Sequence, residues 1–114
     1  MDVVRQFDVY WTDLEPTVGH EINKTRPCVV ISPDAMNKNL KTVIIAPMTS
    51  KVRNFPTRIP VSFDGVEGEI ALDQMRSISF LRLRKLMGPL DVDVARDISA
   101  RLQKMFSWPR QNGH

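Results

Sequence analysis

The sequence predicts an α+β fold that is mostly β, a small barrel of short strands with one helix packed on it. Two observations predict it. Short apolar or alternating segments, separated by turn residues, follow one another along most of the chain. The one segment with clear helical periodicity comes late, over residues 91–106. Several short strands followed by a single terminal helix are typical of a helix packed on a sheet.

Length and composition indicate one domain. The chain has 114 residues, of which 42% are hydrophobic and 25% charged, enough for a single core. We assign residues 1–108 to this domain and expect residues 109–114 to form a disordered tail. No apolar run approaches the roughly 20 residues that span a bilayer, and the N-terminus has no signal-peptide pattern. We therefore expect a cytoplasmic protein with no membrane partner.

The few metal-ligating residues argue against a metal centre. One cysteine and two histidines leave no plausible zinc set, so we expect neither a metal nor another cofactor. Cys28 lies inside an apolar run and is interpreted as a buried small hydrophobe, which suits a reducing compartment. The net charge of +3 permits binding of a polyanion without establishing it.

The first half of the chain predicts three strands and two polar loops. Alternation over residues 7–13 predicts the first strand, and residues 15–23 form a turn-rich loop, loop one. The continuous apolar run 28–31 predicts a central strand covered on both faces. Residues 32–39 predict a turn or one helical turn with Pro33 at the first helical position. Residues 42–48 predict a strand closed by Pro47, followed by a second functional loop over 49–56.

The second half predicts shorter strands and then the helix. Residues 58–63 alternate, and Pro60 marks an edge or bulged strand. Asp64-Gly65 is a turn signal, and a short strand over 69–72 breaks at Asp73-Gln74. A turn and one more strand over 85–90 are predicted next. In the helix, Asp91 is the predicted N-cap. Its apolar face is predicted to carry Val94, Ile98, Leu102 and Met105 with Phe106.

Polar side chains that suit chemistry concentrate at three strand ends. Arg26 precedes a proline, which favours extended backbone where loop one enters a strand. The three groups are His20, Glu21, Lys24, Thr25 and Arg26; Thr49, Ser50, Lys51, Arg53 and Asn54; and Asp73, Gln74 and Arg76.

Each of these residues has a functional and a structural interpretation. The fork of Arg26 can bridge phosphate oxygens, or it can pair on the surface with Glu21 or Asp73. Thr49 can donate its hydroxyl to an oxyanion, or it is a strand-end threonine. Glu21 is a general base, an orienting carboxylate or a solvated loop acid. His20 shuttles a proton or is inert.

Two further groups have the same ambiguity. Asp73-Gln74 recognises a base edge, holds Arg26 or caps a turn. Lys51 and Arg53 position phosphates or are simply solvated. From residues alone, the sequence supports a cytoplasmic β-rich domain with an anion-binding loop.

Whole segments give a sharper result. The first strand, loop one through His20-Glu21, Thr25-Arg-Pro-Cys-Val-Val-Ile-Ser-Pro, Ala46-Pro-Met-Thr-Ser and Ala71-Leu-Asp-Gln-Met-Arg-Ser-Ile stand in one order and spacing. Over about residues 5–106 the chain resembles the MazF/PemK-type mRNA interferase toxins of type II toxin–antitoxin systems. The resemblance implies an SH3-like barrel with a C-terminal helix, also shared by CcdB, that works as a homodimer.

The resemblance also implies an activity. Such toxins cleave single-stranded RNA at short sequence motifs without a metal, as the ribose 2′-OH attacks the adjacent phosphate. The products are a 2′,3′-cyclic phosphate and a 5′-OH end. The dianionic phosphorane of this reaction needs fixed positive charge and hydroxyl donors.

By motif, Arg26 and Thr49 match the principal catalytic pair of the family. Glu21 matches its loop acid, placed to orient Arg26 or to accept the 2′-OH proton. His20 matches a histidine of PemK-like members, and Asp73 matches the aspartate of the Asp-Gln motif. The residues leave open which group is the base and which the acid.

One departure concerns Ala71, which stands two positions before that aspartate, where some PemK-like members have an arginine. Arg26 must then carry more of the phosphorane stabilisation. We expect RNA in a groove between protomers, with Asn54, Gln74 or Phe55 touching bases. The expected RNA-binding residues are Lys24, Thr25, Ser50, Lys51, Arg53, Asn54, Gln74 and Arg76.

The resemblance implies a protein partner and leaves two competing functions. An acidic antitoxin is expected to fold onto the same basic groove, with DNA contacted only through that antitoxin. The first competing function is a CcdB-like, non-enzymatic gyrase inhibitor, although those toxins lack the Thr-Arg-Pro and Pro-x-Thr-Ser elements. The second is a catalytically silent RNA-binding module, supported by charge alone.

Overall fold

The computed structural model describes residues 3–108, so the tail expected over residues 109–114 lies outside the described part of the chain. Short 3₁₀ turns at Leu72–Gln74 and Phe80–Arg82 interrupt its second half. The strands and helices, in chain order, are β1 Asp8–Asp13, β2 Thr25–Val30, α1 Asp34–Asn39, β3 Thr42–Thr49, β4 Arg58–Phe63, β5 Val66–Ala71, β6 Arg76–Ser79, β7 Leu83–Pro89 and α2 Val92–Met105.

The strands form one antiparallel, curled sheet in the order β4-β5-β3-β2-β1-β7. Strand β3 is long enough to serve two neighbours on one side. Its first half pairs with β6, and its last two residues, Met48 and Thr49, pair with β5. The mostly-β fold with one C-terminal helix confirms the predicted fold class.

Both faces of the sheet are covered, and each face has its own core. Val9, Val29 and Ile70 belong to the core that includes Ile98 of α2. The opposite core includes Tyr10, Cys28, Val30, Ile45 and Ile78. Neighbouring residues of β1 and β2 therefore enter different cores. This confirms the predicted central strand and the burial of Cys28, which is fully buried.

Several strand boundaries differ from the prediction. Pro47 does not close β3: it lies opposite Cys28 in β2, and the strand continues to Thr49 because proline tolerates an extended backbone. Strand β5 begins at Val66 rather than at residue 69. Asp64 and Gly65 have φ of 53° and 78°, a tight turn that lets Phe63 pair with Val66 directly.

The sequence located the elements of residues 76–84 less well. Strand β6 was missed because Ile78 is its one buried residue, and its pairing with Val43 of β3 is non-local. Strand β7 starts at Leu83, two residues before the predicted start. In the first half of the chain, Pro33 is the N-cap of α1 rather than its first helical residue.

Helix α2 is confirmed over almost its whole predicted length. The Asp91 side chain accepts a hydrogen bond from the backbone N–H of Asp93, as expected of an N-cap. Ile98 is fully buried, while Phe106, expected on the apolar face, caps the helix end and is 69% exposed. Arg101 donates to the carbonyls of Pro56 and Arg58 at 2.8 and 2.9 Å, which ties α2 to the start of β4.

Candidate active site

A pocket of about 350 Å³ opens between the start of β2, the end of β3 and the β4–β5 hairpin. Arg26, Thr49 and Ser50 line it together, so the predicted catalytic pair meets in one place. Asp64 and Glu67 contribute acidic side chains to the lining. The rest of the wall is mainly apolar and consists of Trp11, Pro27, Met48, Val61, Phe63, Val66, Gly68 and Met87.

Arg26 is held in the pocket by its own strand and loop. It is the second residue of β2, where its backbone is paired with Thr12. Its Nε donates to the carbonyl of Asn23 at 2.8 Å, which leaves the two terminal nitrogens for an anion. Among the described residues it forms a salt bridge with neither Glu21 nor Asp73, the predicted partners.

Thr49 ends β3 and is only 9% exposed. Its Oγ1 accepts a hydrogen bond from the backbone N–H of Lys51 at 3.1 Å, so the hydroxyl proton remains for donation. Gly68 of β5 packs directly against the Thr49 backbone, since a Cβ there would lie 2.2 Å from the Thr49 carbonyl oxygen. Because Gly68 has no side chain, the Thr49 backbone can approach β5 this closely.

The two other loop-one candidates point elsewhere. Glu21 Oε1 accepts the backbone N–H of Val18 at 2.5 Å, so this carboxylate stabilises its own loop rather than orienting Arg26. His20 is exposed and follows Gly19, whose φ is +61°. Neither side chain lines the pocket described above.

The loop-one backbone is supported by two residues that the sequence assigned to RNA. Gln74 Oε1 accepts the N–H of Ile22 at 3.2 Å, and Arg76 donates to the carbonyl of Leu14 at 3.1 Å. Arg82 also donates to the carbonyl of Glu15. Gln74 thus supports loop one, and Arg76 supports the residue that precedes it.

Loop two, defined here as residues 50–57, carries most of the exposed cations and amides predicted to contact RNA. Ser50, Lys51, Arg53 and Asn54 are all exposed, and Asn54 has a left-handed φ of 59°. Lys24, which follows loop one, is exposed as well, and Thr25 is half-buried at the start of β2.

Of the three interpretations of Asp73-Gln74, the one in which Asp73 holds Arg26 does not match the structure. Its carboxylate binds Arg58 instead, with Nε to Oδ1 at 2.7 Å and the second terminal nitrogen to Oδ2 at 3.1 Å. This guanidinium holds the pKa of the Asp73 carboxyl below its ordinary value. Arg58 lies opposite Ala71 in the β4–β5 pair, so an arginine does stand beside this aspartate, but it comes from the neighbouring strand.

Sequence reasoning missed two groups at this site. Trp11 belongs to a strand and was not predicted to be a site residue, yet it is 42% exposed at the pocket wall. Arg58 and Glu69 were passed over because they lie in short strands near polar turns. Their one signal was a pair of opposite charges, one on each side of the Asp64-Gly65 turn.

Two other kinds of site have no counterpart in the described part of the chain. Within residues 3–108, no group of three or more His, Cys, Asp or Glu side chains is placed to hold a metal ion. No helix in the described range is long and apolar enough to cross a membrane. Burial raises the pKa of the Cys28 thiol to about 12.

Comparison with known proteins gives consistent matches. Residues 5–106 match the family described as PemK-like, MazF-like toxin of type II toxin–antitoxin system. The Bacillus subtilis (strain 168) protein Endoribonuclease EndoA is 33% identical over 107 residues, covering 89% of this chain and 92% of that protein.

Solved structures show the same fold. A MazF from Deinococcus radiodurans superposes with a TM-score of 0.82 at 24% identity, covering 95% of this chain and 100% of that one. An endoribonuclease in complex with its cognate antitoxin, from Mycobacterial species, has a TM-score of 0.77 at 19% identity and covers 93% and 99% of the two chains. A MazE–MazF structure from Deinococcus radiodurans has a TM-score of 0.76 at 21% identity, with 96% and 100% covered.

Proposed function

The chain belongs to the family of PemK-like, MazF-like toxins of type II toxin–antitoxin systems, and from that premise we propose that it is an endoribonuclease that cleaves single-stranded RNA. The observation that carries the proposal is the convergence of Arg26 and Thr49 in one pocket. A related protein bears the name endoribonuclease. Neither the family match nor the relatives named above support the CcdB-like alternative.

The proposed reaction uses the RNA's own nucleophile. The 2′-oxygen forms a bond to the adjacent phosphorus, the bond from phosphorus to the 5′-oxygen breaks, and a 2′,3′-cyclic phosphate and a 5′-OH end result. The terminal nitrogens of Arg26 bind the non-bridging oxygens, and the Thr49 hydroxyl donates to one of them. Donors fixed at developing charge are usually the largest catalytic contribution. A permanent guanidinium supplies positive charge, so we propose a reaction independent of metal.

Two proton transfers complete this scheme. One group takes the proton of the 2′-OH and another protonates the 5′-oxygen as it leaves. Glu21 and His20, both on loop one, are our candidates for these roles. Loop one must move to bring them to the phosphate, since Glu21 now accepts the Val18 N–H. The pH profile of wild type, Glu21→Gln and His20→Gln assigns the base and the acid.

RNA binding is proposed to follow the pocket rim. The exposed cations Lys24, Lys51 and Arg53 would bind phosphates, and Thr25, Ser50 and Asn54 offer hydrogen bonds. The wall with Trp11 and Phe63 offers a stacking surface for a base, and stacking of this kind is worth about 1–3 kcal/mol per base. Gln74 and Arg76 would act indirectly, through loop one.

We further propose that the protein works as a homodimer in the cytoplasm and is neutralised by an acidic antitoxin. A segment rich in Asp and Glu would pair with the cations of loop two and fold as it binds. One solved structure of this fold is described as an endoribonuclease in complex with its cognate antitoxin, and another as MazE–MazF. DNA would then be reached only through that partner.

The test incubates purified protein with mixed-sequence single-stranded RNA in buffer containing a chelator, and then maps the ends. Cyclic phosphate and 5′-OH ends are expected. Arg26→Ala or Thr49→Ala should each lower the rate about 10²–10³-fold, because each removes a donor to the phosphorane. Lys38→Ala, on α1 away from the pocket, is the matched control for the loss of a cation.

The outcomes separate the competing functions. Cleavage by both variants at the wild-type rate, with unchanged circular dichroism, would show that the active site is wrong. RNA retardation in a gel without any cleavage product would favour a silent RNA-binding module. Inhibition of gyrase without RNA cleavage would favour the CcdB-like function.

A further inference from the structure

Glu69 is a carboxylate buried beneath loop two. It is 2% exposed and lies in β5, opposite Thr49 of β3 on one side and Pro60 of β4 on the other. Its two oxygens accept consecutive backbone N–H groups of the loop, those of Arg53 at 2.9 Å and Asn54 at 3.0 Å. One side chain thus holds the turn in which Asn54 has its left-handed φ.

Arg58 extends this contact to the other end of the loop. Its guanidinium is 3.5 Å from Glu69 Oε1 and binds both oxygens of Asp73. Asp73 also accepts a hydrogen bond from Thr57 Oγ1 at 2.9 Å. The Arg58 guanidinium lies 5.3 Å from the centre of the Phe55 ring. The middle and the end of loop two are therefore fixed to β5 and to the turn after it.

Such a network is a poor way to gain stability alone. Taking charges out of water is costly, and well-packed apolar side chains often stabilise a protein as much as a buried ion pair does. The network adds conformational specificity, because two defined backbone N–H groups donating to one fixed carboxylate select one loop conformation. The loop conformation sets the backbone positions from which the Lys51 and Arg53 side chains extend.

The same strand also serves the catalytic pair. Glu69 lies opposite Thr49 in the β3–β5 pair, and Gly68 packs against the Thr49 carbonyl. The backbone N–H of Lys51 binds Thr49 Oγ1 at 3.1 Å. Loop two is therefore held at two points. Its start is bound to Thr49 through the Lys51 N–H, and its middle is bound to Glu69 through the N–H groups of Arg53 and Asn54.

We propose that Glu69, acting through loop two and assisted by Arg58 and Asp73, is a positioning residue that holds the RNA-binding cations at the pocket. The inference rests on the proposed ribonuclease function. It also changes the role of Asp73, which acts on the loop through Arg58 instead of on the phosphate. Arg58, enclosed by two carboxylates and 8% exposed, is likewise no phosphate ligand.

The test compares Glu69→Gln with wild type in steady-state cleavage of single-stranded RNA over a range of salt concentrations. An amide offers one acceptor where two N–H groups need two, so loop two loses its fixed conformation. KM should rise about tenfold while kcat changes less than about threefold. The slope of log KM against log salt should fall by about 0.7 for each RNA phosphate that the variant no longer binds.

Asn37→Ala is the matched control. Asn37 is also a buried polar residue, bonded to Ser32 and to the carbonyl of Val4, and none of these three residues lines the pocket or belongs to either loop. It should lower the denaturation midpoint while leaving KM and the salt slope unchanged. If Glu69→Gln and Asn37→Ala have the same kinetics, Glu69 is merely structural and the proposal is overturned.

Asp73→Asn keeps the inference testable if Glu69→Gln does not fold. It should also raise KM and lower the salt slope while kcat is retained. A fall in kcat with KM and salt slope unchanged would make Asp73 a catalytic residue and overturn the proposal. If the wild-type protein cleaves no RNA, the proposed function is overturned as well. If wild type is active and the variants have its KM and salt slope, only the positioning role of Glu69 is overturned.

Discussion

The two loops beside the pocket are fixed in different ways. Loop one depends on exposed or half-buried hydrogen bonds, such as those that the Val18 N–H donates to Glu21 and the Ile22 N–H donates to Gln74. Loop two is anchored by Glu69, which is almost completely buried and reaches two backbone N–H groups. Segments held by solvent-exposed hydrogen bonds open at lower free energy than segments held in the interior. We infer that loop one moves during the reaction while loop two keeps its shape.

Gly68→Ala should have the largest effect on this contrast, since it alters the strand that serves Thr49 and loop two together. A methyl group 2.2 Å from the Thr49 carbonyl oxygen must displace one backbone or the other. A shift of about 1 Å at a catalytic group costs roughly 100-fold in rate. Single-turnover cleavage measures the loss. Gly65→Ala, with no atom near its added Cβ, is a control for the strain of losing a glycine; equal losses in both would contradict a special role for Gly68.

Acidification should open loop two before loop one. Burial by itself raises the pKa of the Glu69 carboxyl, but the Arg53 and Asn54 N–H groups and Arg58 outweigh it, so the pKa lies below its ordinary value. The pKa of Asp73 is lowered mainly by the hydrogen bond from Arg58. Carboxyls with lowered folded-state pKa values stabilise the fold above about pH 5, and that stability is lost as the pH falls below about 4.

Hydrogen exchange at pH 7 and pH 3.5, corrected for intrinsic rates, measures this opening. Protection of the Arg53 and Asn54 amides should decrease several-fold more than that of the Ile22 amide, whose acceptor is the neutral Gln74 side chain. Asp73→Asn should flatten the pH dependence. Equal loss of protection in both loops would mean that Glu69 and Asp73 do not govern loop two.

Gln74→Ala should have the smallest effect. It removes one half-buried hydrogen bond to the Ile22 N–H, worth about 1 kcal/mol, and should act on loop one alone. Urea denaturation gives the global cost, and exchange at Ile22 gives the local one. Loss of protection at Arg53 or Asn54 in this variant would show that the two loops are coupled.

Local patterns predicted the elements whose signals are local. Alternation, turn residues and helical spacing located β1, β4 and α2, because each is specified by its own segment. Strand β6 was missed since its pairing partner, β3, lies about 30 residues earlier in the chain. A four-residue strand with one buried side chain is too short to show the alternation of apolar and polar residues that identifies a strand.

The same division applies to the site. Arg26 and Thr49 were identified from motifs, and the structure places both in one pocket. The partner of Asp73 could not be predicted, because the contact with Arg58 depends on the register of the β4–β5 hairpin rather than on spacing along the chain. Trp11 was missed for a related reason, since the curl of the sheet decides which β1 residue reaches the pocket.

Pro60 has a consequence for how copies of the protein can meet. It is exposed in β4, which lies at one end of the sheet order. An edge strand has a row of unpaired N–H and C=O groups that can pair with a strand of another molecule, and such pairing leads to aggregation. A proline removes one donor from that row and adds a rigid ring. Pro60 therefore disfavours pairing of β4 with a strand of a second molecule, and with it the growth of the sheet across molecules at this edge.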